Sequence, residues 1–349
     1  MAIKVLIVDD SALIRKLLSA IVQSQPDMLL VGAAADAYAA RDLVNQFSPD
    51  VITLDIEMPK VDGLTFLDKL MKARPTPVLM VSTLTREGAD ATLRAMELGA
   101  IDYIAKPTIG IAEGMQAYSA LIIEKIRIAA SARVKRHDSS TLRKSPQSLS
   151  YSSTEKLIAI GASTGGTEAI KEVLLQLPAN SPGIVITQHM PPGFTRSFAE
   201  RLHKLCQVAV KEAVDGERVL PGHAYIAPGD LHMLIERSGA DYRIKLSDTE
   251  RVSGHKPSVD VMFSSLARSA GNNVMAVILT GMGKDGARGM QDIFKQGGFT
   301  VAQDEQSCVV FGMPSEAIKS GGVKIISPLW DIGDVLVQQI KRVGSGNRL

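Results

Sequence analysis

Two groups of residues in this chain have types and spacings that could do chemistry. The first is Asp9-Asp10, Asp55, the adjacent Ser82 and Thr83, and Lys106 in Lys106-Pro107. Each follows or ends a short apolar run, so three carboxylates, a hydroxyl and an ammonium can converge on one edge of a sheet. Crowded carboxylates repel and call for a divalent cation, and an all-oxygen donor set without His or Cys favours Mg²⁺. A metal and a lysine together neutralise the charge on a phosphoryl group in transfer. The second group centres on Gly161-Ala-Ser163-Thr-Gly165, a G-x-S-x-G spacing after the apolar run Leu157–Ile160. Such a turn can lift a serine hydroxyl above a sheet beside helix N-terminal amides, as a nucleophile needs. The competing reading is a phosphate-binding glycine turn, but the G-x-G-x-x-G fingerprint is missing.

A serine nucleophile needs a base and a third group to orient that base. Of six histidines, His137 lies in a serine-rich stretch, His203 on a solvated helix face, and His223 and His232 beside a hairpin with turn or surface roles. His189 directly follows the run Gly183–Thr187, at the same sheet edge that delivers Ser163. His255, in Ser-Gly-His-Lys-Pro, is its rival for the role of base. Asp285, in Leu279-Thr-Gly-Met-Gly-Lys-Asp-Gly286, follows the most apolar run and can orient the imidazole. That loop fails the Walker pattern, because Ile278 stands at the first glycine and Asp285 follows Lys284. The order Ser, His, Asp departs from the Ser, Asp, His order of α/β-hydrolases, so that fold does not follow from the serine motif.

Positioning these residues takes two α/β units. In the first, strands are expected at Ile3–Val8, Leu29–Ala33, Val51–Leu54, Val78–Val81 and Asp102–Ile104, with helices at Ser11–Gln23, Ala37–Gln46, Gly63–Ala73 and Glu87–Leu98. This alternation predicts a five-stranded parallel sheet covered on both faces. In the second, strands are expected at Leu157–Ile160, Gly183–Thr187, Ala224–Ile226, Tyr242–Leu246, Val274–Leu279 and Thr300–Ala302, and helices at Thr167–Leu177, Pro192–Leu205, Ser258–Ser269 and Gly286–Gln296. It reads as a doubly wound α/β domain, with Ala224–Leu246 forming an antiparallel hairpin added to the sheet. Between them, 131–153 holds eight serines and almost no large apolar residue, which predicts a flexible basic tether. The domains are therefore 1–130, the linker 131–153, and 154–349.

At 349 residues, two domains are also what length alone predicts. A hydrophobic content of 45% with 22% charged residues excludes a disordered or fibrous chain. The net charge of +2, from 39 basic and 37 acidic side chains, argues against a nucleic-acid partner. The longest strongly apolar run, Val274–Leu279, is far short of the ~20 residues that span a bilayer, so no direct membrane insertion is expected. Two cysteines, Cys206 and Cys308, make no disulfide framework and suit a cytoplasmic location.

Residues 1–130 resemble a response-regulator receiver domain, on Asp9-Asp10, Asp55 in Leu-Asp-Ile-Glu-Met-Pro, Ser82-Thr83 and Lys106-Pro107. The resemblance implies that Asp55 accepts a phosphoryl group from a histidine kinase. It implies Mg²⁺ held by Asp10, Asp55 and the Glu57 carbonyl, with Asp9 nearby. Lys106 and one of Ser82 and Thr83 would contact the phosphoryl oxygens, and alignment to the motif favours Ser82. The whole chain resembles the chemotaxis protein-glutamate methylesterases, the CheB family. That likeness rests further on Gly161-Ala-Ser-Thr-Gly-Gly166, Gln188-His-Met-Pro, His223 to Gly229 and Thr280-Gly-Met-Gly-Lys-Asp-Gly286. It implies hydrolysis of γ-glutamyl methyl esters on membrane chemoreceptors, with deamidation of receptor glutamines in some members and no cofactor for the ester chemistry. Ser163 would attack, His189 would serve as base and then acid, and Asp285 would orient it. The Met282 amide, assisted by Thr164, would bind the oxyanion. A non-catalytic signalling adaptor and a receiver-controlled nucleotide-binding enzyme are the competing functions.

Overall fold

The computed structural model describes residues 2–83, 85–106, 115–132 and 156–345. The chain divides into two compact units, Met1–Thr141 and Leu142–Leu349. The division falls within 131–153; of that expected tether, all but Ser131 and Ala132 lies outside the described residues.

The first unit alternates β1 (Ile3–Val8), α1 (Ala12–Gln23), β2 (Met28–Ala34), α2 (Ala37–Phe47), β3 (Val51–Asp55), α3 (Gly63–Ala73), β4 (Val78–Ser82), α4 (Arg86–Glu97), β5 (Asp102–Ala105) and α5 (Met115–Ser131). Its strands pair in parallel in the order β2-β1-β3-β4-β5. The order reverses direction at β1 and β3, the point where an open α/β sheet leaves a crevice at its carboxyl edge. Asp9 and Asp55 leave the sheet at that crevice. Local capping starts the helices: Asp36 accepts from Tyr38 and Ala39 N–H, Asp62 from Thr65, and Thr85 from Gly88. The sequence pattern does not mark α5. Its apolar residues include four isoleucines, Ile122, Ile123, Ile126 and Ile128, whose β-branching weakens the local helix signal, and burial of Ile122 and Ile126 decides the matter.

The second unit contains β6 (Leu157–Ala162), α6 (Gly166–Leu175), β7 (Gly183–Gln188), α7 (Phe194–Leu205), β8 (Ala209–Glu212), β9 (His223–Ile226), β10 (His232–Ser238), β11 (Asp241–Ser247), α8 (Val259–Ser269), β12 (Val274–Ile278), α9 (Ala287–Lys295), β13 (Phe299–Gln303), α10 (Met313–Lys319), β14 (Ile325–Ser327) and α11 (Ile332–Ser345). Seven strands form a parallel sheet in the order β14-β13-β12-β6-β7-β9-β8. β6 is central, with β7 and β12 as neighbours. All three are wholly buried, and β6 and β12 are wholly apolar, as suits a sheet covered on both faces.

The expected antiparallel hairpin forms, but over a shorter stretch and not as an addition to the main sheet. β9 belongs to the parallel sheet, while β10 and β11 pair antiparallel as a separate two-stranded sheet. One face of that hairpin, Met233, Ile235, Tyr242 and Ile244, is buried in the core cluster with Phe263 and Leu266 of α8. The Ile235 N–H also donates to Ser265 Oγ of α8 at 2.9 Å. Docking on a helix, rather than on a sheet edge, satisfies its alternating pattern. Short elements such as β8 and the three-residue β14 were not expected, since edge strands this brief carry almost no periodicity.

Candidate active site and phosphoacceptor site

The G-x-S-x-G turn follows directly from β6. Gly165 has φ +76°, a left-handed conformation that lets the chain turn into α6 immediately after Ser163 and Thr164. Gly161 is needed for a different reason, because a Cβ there would lie 2.3 Å from Val259 Cγ1. β6 and β7 run in register with Ala162 opposite Gln188, so Ser163 and His189 are the next residues on adjacent strands. The His189 N–H donates to the Ala162 carbonyl, and Gln188 Nε2 donates to the Ser163 carbonyl at 2.9 Å. On the other flank Ser163 N–H donates to the Thr280 carbonyl at 3.0 Å, tying the serine to the loop after β12. The Thr280 hydroxyl donates to the Thr164 carbonyl, and Thr280 N–H donates to Gln303 Oε1. Three strands thus bring the two loops and Ser163 together at one carboxyl edge.

Asp285, almost wholly buried, closes the arrangement. His189 Nε2 lies 2.8 Å from Asp285 Oδ2. The same oxygen accepts from Val259 N–H at 2.7 Å, while Oδ1 accepts from Ser258 Oγ at 2.8 Å and Asp260 N–H at 3.1 Å. The carboxylate therefore sits on the N-terminus of α8, where free amides favour negative charge. Burial pushes the Asp285 carboxyl up, but hydrogen bonds from His189, Ser258 and Val259, with the charge on His189, hold it below its ordinary value. An ionised Asp285 accepts, so Nε2 carries the proton. In the neutral ring the second nitrogen, Nδ1, which is buried and without a hydrogen-bond partner, is then the basic one. An imidazole in this tautomer, oriented by a carboxylate beside a turn-borne serine, can accept a proton from that serine. Thr164, next to Ser163, is buried, and Met282 is exposed and follows Gly281, whose added Cβ would lie 2.7 Å from Ser163 Cβ.

In the first unit, Asp9, Asp10 and Asp55 present oxygens all within 4.8 Å of one another. Lys106 Nζ lies 2.7 Å from Asp55 Oδ2 and 3.6 Å from Asp9 Oδ2. Arg15 donates to the backbone carbonyls of Asp9 and Asp10, which fixes the acidic turn without neutralising its carboxylates. Burial, reinforced by the Asp9 charge and opposed by Lys106, pushes Asp55 up to about 6. Burial likewise pushes Asp9 up. Burial opposes the Lys106 charge, but Asp55, Asp9 and Asp10 hold its ammonium above the ordinary range. Three carboxylates against one ammonium leave excess negative charge in oxygen-only surroundings, and an Mg²⁺ ion fits that donor set. The Glu57 N–H donates to Asp55 Oδ1, which brings the loop after β3 alongside. Ser82 is buried and donates to the Gly88 carbonyl at 3.1 Å; Thr83 is half-buried and pairs with the Thr85 hydroxyl. Pro107 lies outside the described residues.

A family model described as CheB methylesterase matches residues 158–336, and one described as response regulator receiver domain matches residues 5–118. The protein-glutamate methylesterase/protein-glutamine glutaminase 2 of Pseudomonas aeruginosa is 62% identical over 349 residues, covering 100% of each chain. The chain belongs to the CheB methylesterase family. The protein-glutamate methylesterase/protein-glutamine glutaminase of Salmonella typhimurium is 58% identical over 351 residues, with 99% of each chain covered. Among solved structures, the Thermotoga maritima CheB methylesterase catalytic domain matches with a TM-score of 0.52 and 39% identity, covering 54% of this chain and 100% of that one.

In this CheB-family chain some expectations about histidines change. His232 is fully buried, not at the surface: Nε2 bonds the Glu250 carbonyl and Nδ1 accepts from Ser258 N–H at 3.1 Å. It fixes the residue that clamps Asp285. His203 is exposed on α7, as expected, and accepts at Nδ1 from Val210 N–H. The part played by Ser258 and the α8 amides was invisible in sequence, because an N-cap serine signals only a helix start.

Proposed function

We propose that Ser163, His189 and Asp285 form the hydrolytic triad of this chain. The activity is that of a protein-glutamate methylesterase and protein-glutamine glutaminase, controlled by a receiver domain. The observation that carries the triad is the clamped Asp285, which holds His189 by Nε2 and leaves Nδ1 free to take a proton. Ser163 Oγ attacks the carbonyl carbon of a γ-glutamyl methyl ester as its proton passes to His189 Nδ1. Asp285 stabilises the resulting imidazolium. Met282 N–H, with Thr164 close by, donates to the tetrahedral oxyanion. The C–O bond breaks and His189 returns the proton to leaving methanol. Water then attacks the acyl-serine with His189 again as base, giving glutamate and free Ser163. With a glutamine side chain the leaving group is ammonia, and the same residues act.

Residues 1–130 are the proposed phosphoacceptor domain, 154–349 the esterase, and 131–153 their tether. Asp55 takes a phosphoryl group from a histidine kinase. Asp9, Asp10, Asp55 and the Glu57 carbonyl would hold Mg²⁺, which when bound neutralises phosphoryl charge. Lys106 pairs with the phosphoryl oxygens, and of Ser82 and Thr83 we favour Ser82. Its hydroxyl now bonds Gly88 O at the start of α4, so engaging a phosphoryl oxygen requires giving up that bond and couples the modification to α4. The substrates are methyl-accepting chemoreceptors. Among the described residues no helix is long and apolar enough to cross a membrane. We propose a cytoplasmic enzyme acting on membrane-bound partners, which suits the two free cysteines. The test is methanol release from methyl-labelled receptor membranes. Ser163→Ala should lose about 10⁴-fold or more in turnover while keeping its fold. Retention of wild-type turnover would remove Ser163 from the mechanism.

A further inference from the structure

We propose that His255 is a positioning residue for the ester hydrolysis: its ring stacks face to face on His189 and fixes the plane in which His189 presents Nδ1 to Ser163. The two imidazoles lie with centroids 3.7 Å apart and planes 10° from parallel. The need for such a platform follows from the bonding of His189. Its ring makes one hydrogen bond, Nε2 to Asp285, and Nδ1 has none. A single hydrogen bond fixes a line but leaves the ring free to rotate about it, and that rotation swings Nδ1. A flat ring against its face removes the rotation and excludes water from that side.

His255 is itself well placed to be rigid. Val252 and His255 exchange both backbone hydrogen bonds, at 3.1 and 2.9 Å, closing a tight loop. Lys256 Nζ ties that loop to Asp248 at 2.6 Å. Three residues on, Ser258 caps α8 and donates to Asp285. One short segment therefore supplies both the clamp on the carboxylate and the platform for the imidazole. The contact to Asp285 that a triad base requires belongs to His189, which makes His255 its support and not its rival.

The inference rests on the triad reading, and the experiment separates the two. In the full chain, His255→Ala, His255→Phe, His189→Ala and Ser163→Ala are compared for kcat and KM on a methyl ester substrate. Losing the stack should lower kcat on the order of 10–100-fold, the cost of a misplaced reacting group, with KM within about twofold. His255→Phe restores a flat face without a titratable nitrogen and should recover turnover to within about threefold of the wild type. A downfield proton resonance for the His189 Nε2–H···Asp285 bond should persist in His255→Phe and broaden in His255→Ala. A His255→Phe variant as inactive as His189→Ala overturns the proposal, because the His255 nitrogens would then do chemistry. Wild-type turnover in a folded His255→Ala also overturns it. Full activity in Ser163→Ala would instead remove the triad itself.

Discussion

Asp285→Asn tests the electrostatic half of the site without changing its shape. The variant amide can place its oxygen at either carboxylate position. At the Oδ2 position it meets Val259 N–H at 2.7 Å, a fixed backbone donor, along with His189. At the Oδ1 position it meets Asp260 N–H and the Ser258 hydroxyl, which can rotate to accept from an amide. The amide oxygen should therefore face Val259 and His189, leaving only Asp260 N–H opposed at 3.1 Å. His189 then keeps its tautomer, and the loss is that of a full negative charge beside the imidazolium. For unit charges ~4 Å apart at an effective dielectric near 20 that interaction is about 4 kcal/mol. At about 1.4 kcal/mol per decade, kcat should fall about 10³-fold with little change in KM. Steady-state hydrolysis of a methyl ester by the full chain measures it. A fall of less than about tenfold would refute the assignment of Asp285 as the stabilising charge. A fall near 10⁴-fold would indicate that the amide turned its NH₂ to His189 and reversed the tautomer.

Three further outcomes are expected. Gly281→Ala puts a Cβ 2.4 Å from Met313 Sδ and 2.7 Å from Ser163 Cβ, so kcat should drop and stability should fall by about 1–3 kcal/mol; an unchanged melting curve and kcat would contradict this packing. Burial, opposed by Gly289 N–H and reinforced by the Asp285 charge, pushes Asp260 up to about 6. The folded state then keeps a proton that the unfolded chain releases above 3.8, so this group's contribution makes stability fall as pH rises from there to about 6. Asp260→Asn keeps an oxygen for Gly289 and should flatten that decline in urea midpoints, whereas identical slopes in both chains would exclude the effect. Asp55→Asn, or chelation of Mg²⁺, should abolish stimulation of hydrolysis by a small-molecule phosphoryl donor, and a persisting response would place the phosphoacceptor elsewhere.

Much of this molecule was legible from its residues. Short, wholly apolar runs bounded by turn residues, such as Leu157–Ile160 and Val274–Ile278, read as strands buried on both faces, and strand-end residues of such sheets collect at one edge. That rule alone put Asp9, Asp55 and Lys106 together, and Ser163 beside His189. Strand order was not written locally: only the sheet's assembly sets β12 against β6 and so brings Asp285 to His189 across 96 positions of sequence. The same holds for the α8 amides on Asp285, for buried His232, and for the His255 ring on His189. Sequence placed His189 ahead of its rival His255 by its strand end, but it held no sign that the two rings stack. Hydrophobic period and turn chemistry are properties of neighbours along the chain, whereas hydrogen bonding and ring stacking between distant loops exist only once the core between them has packed.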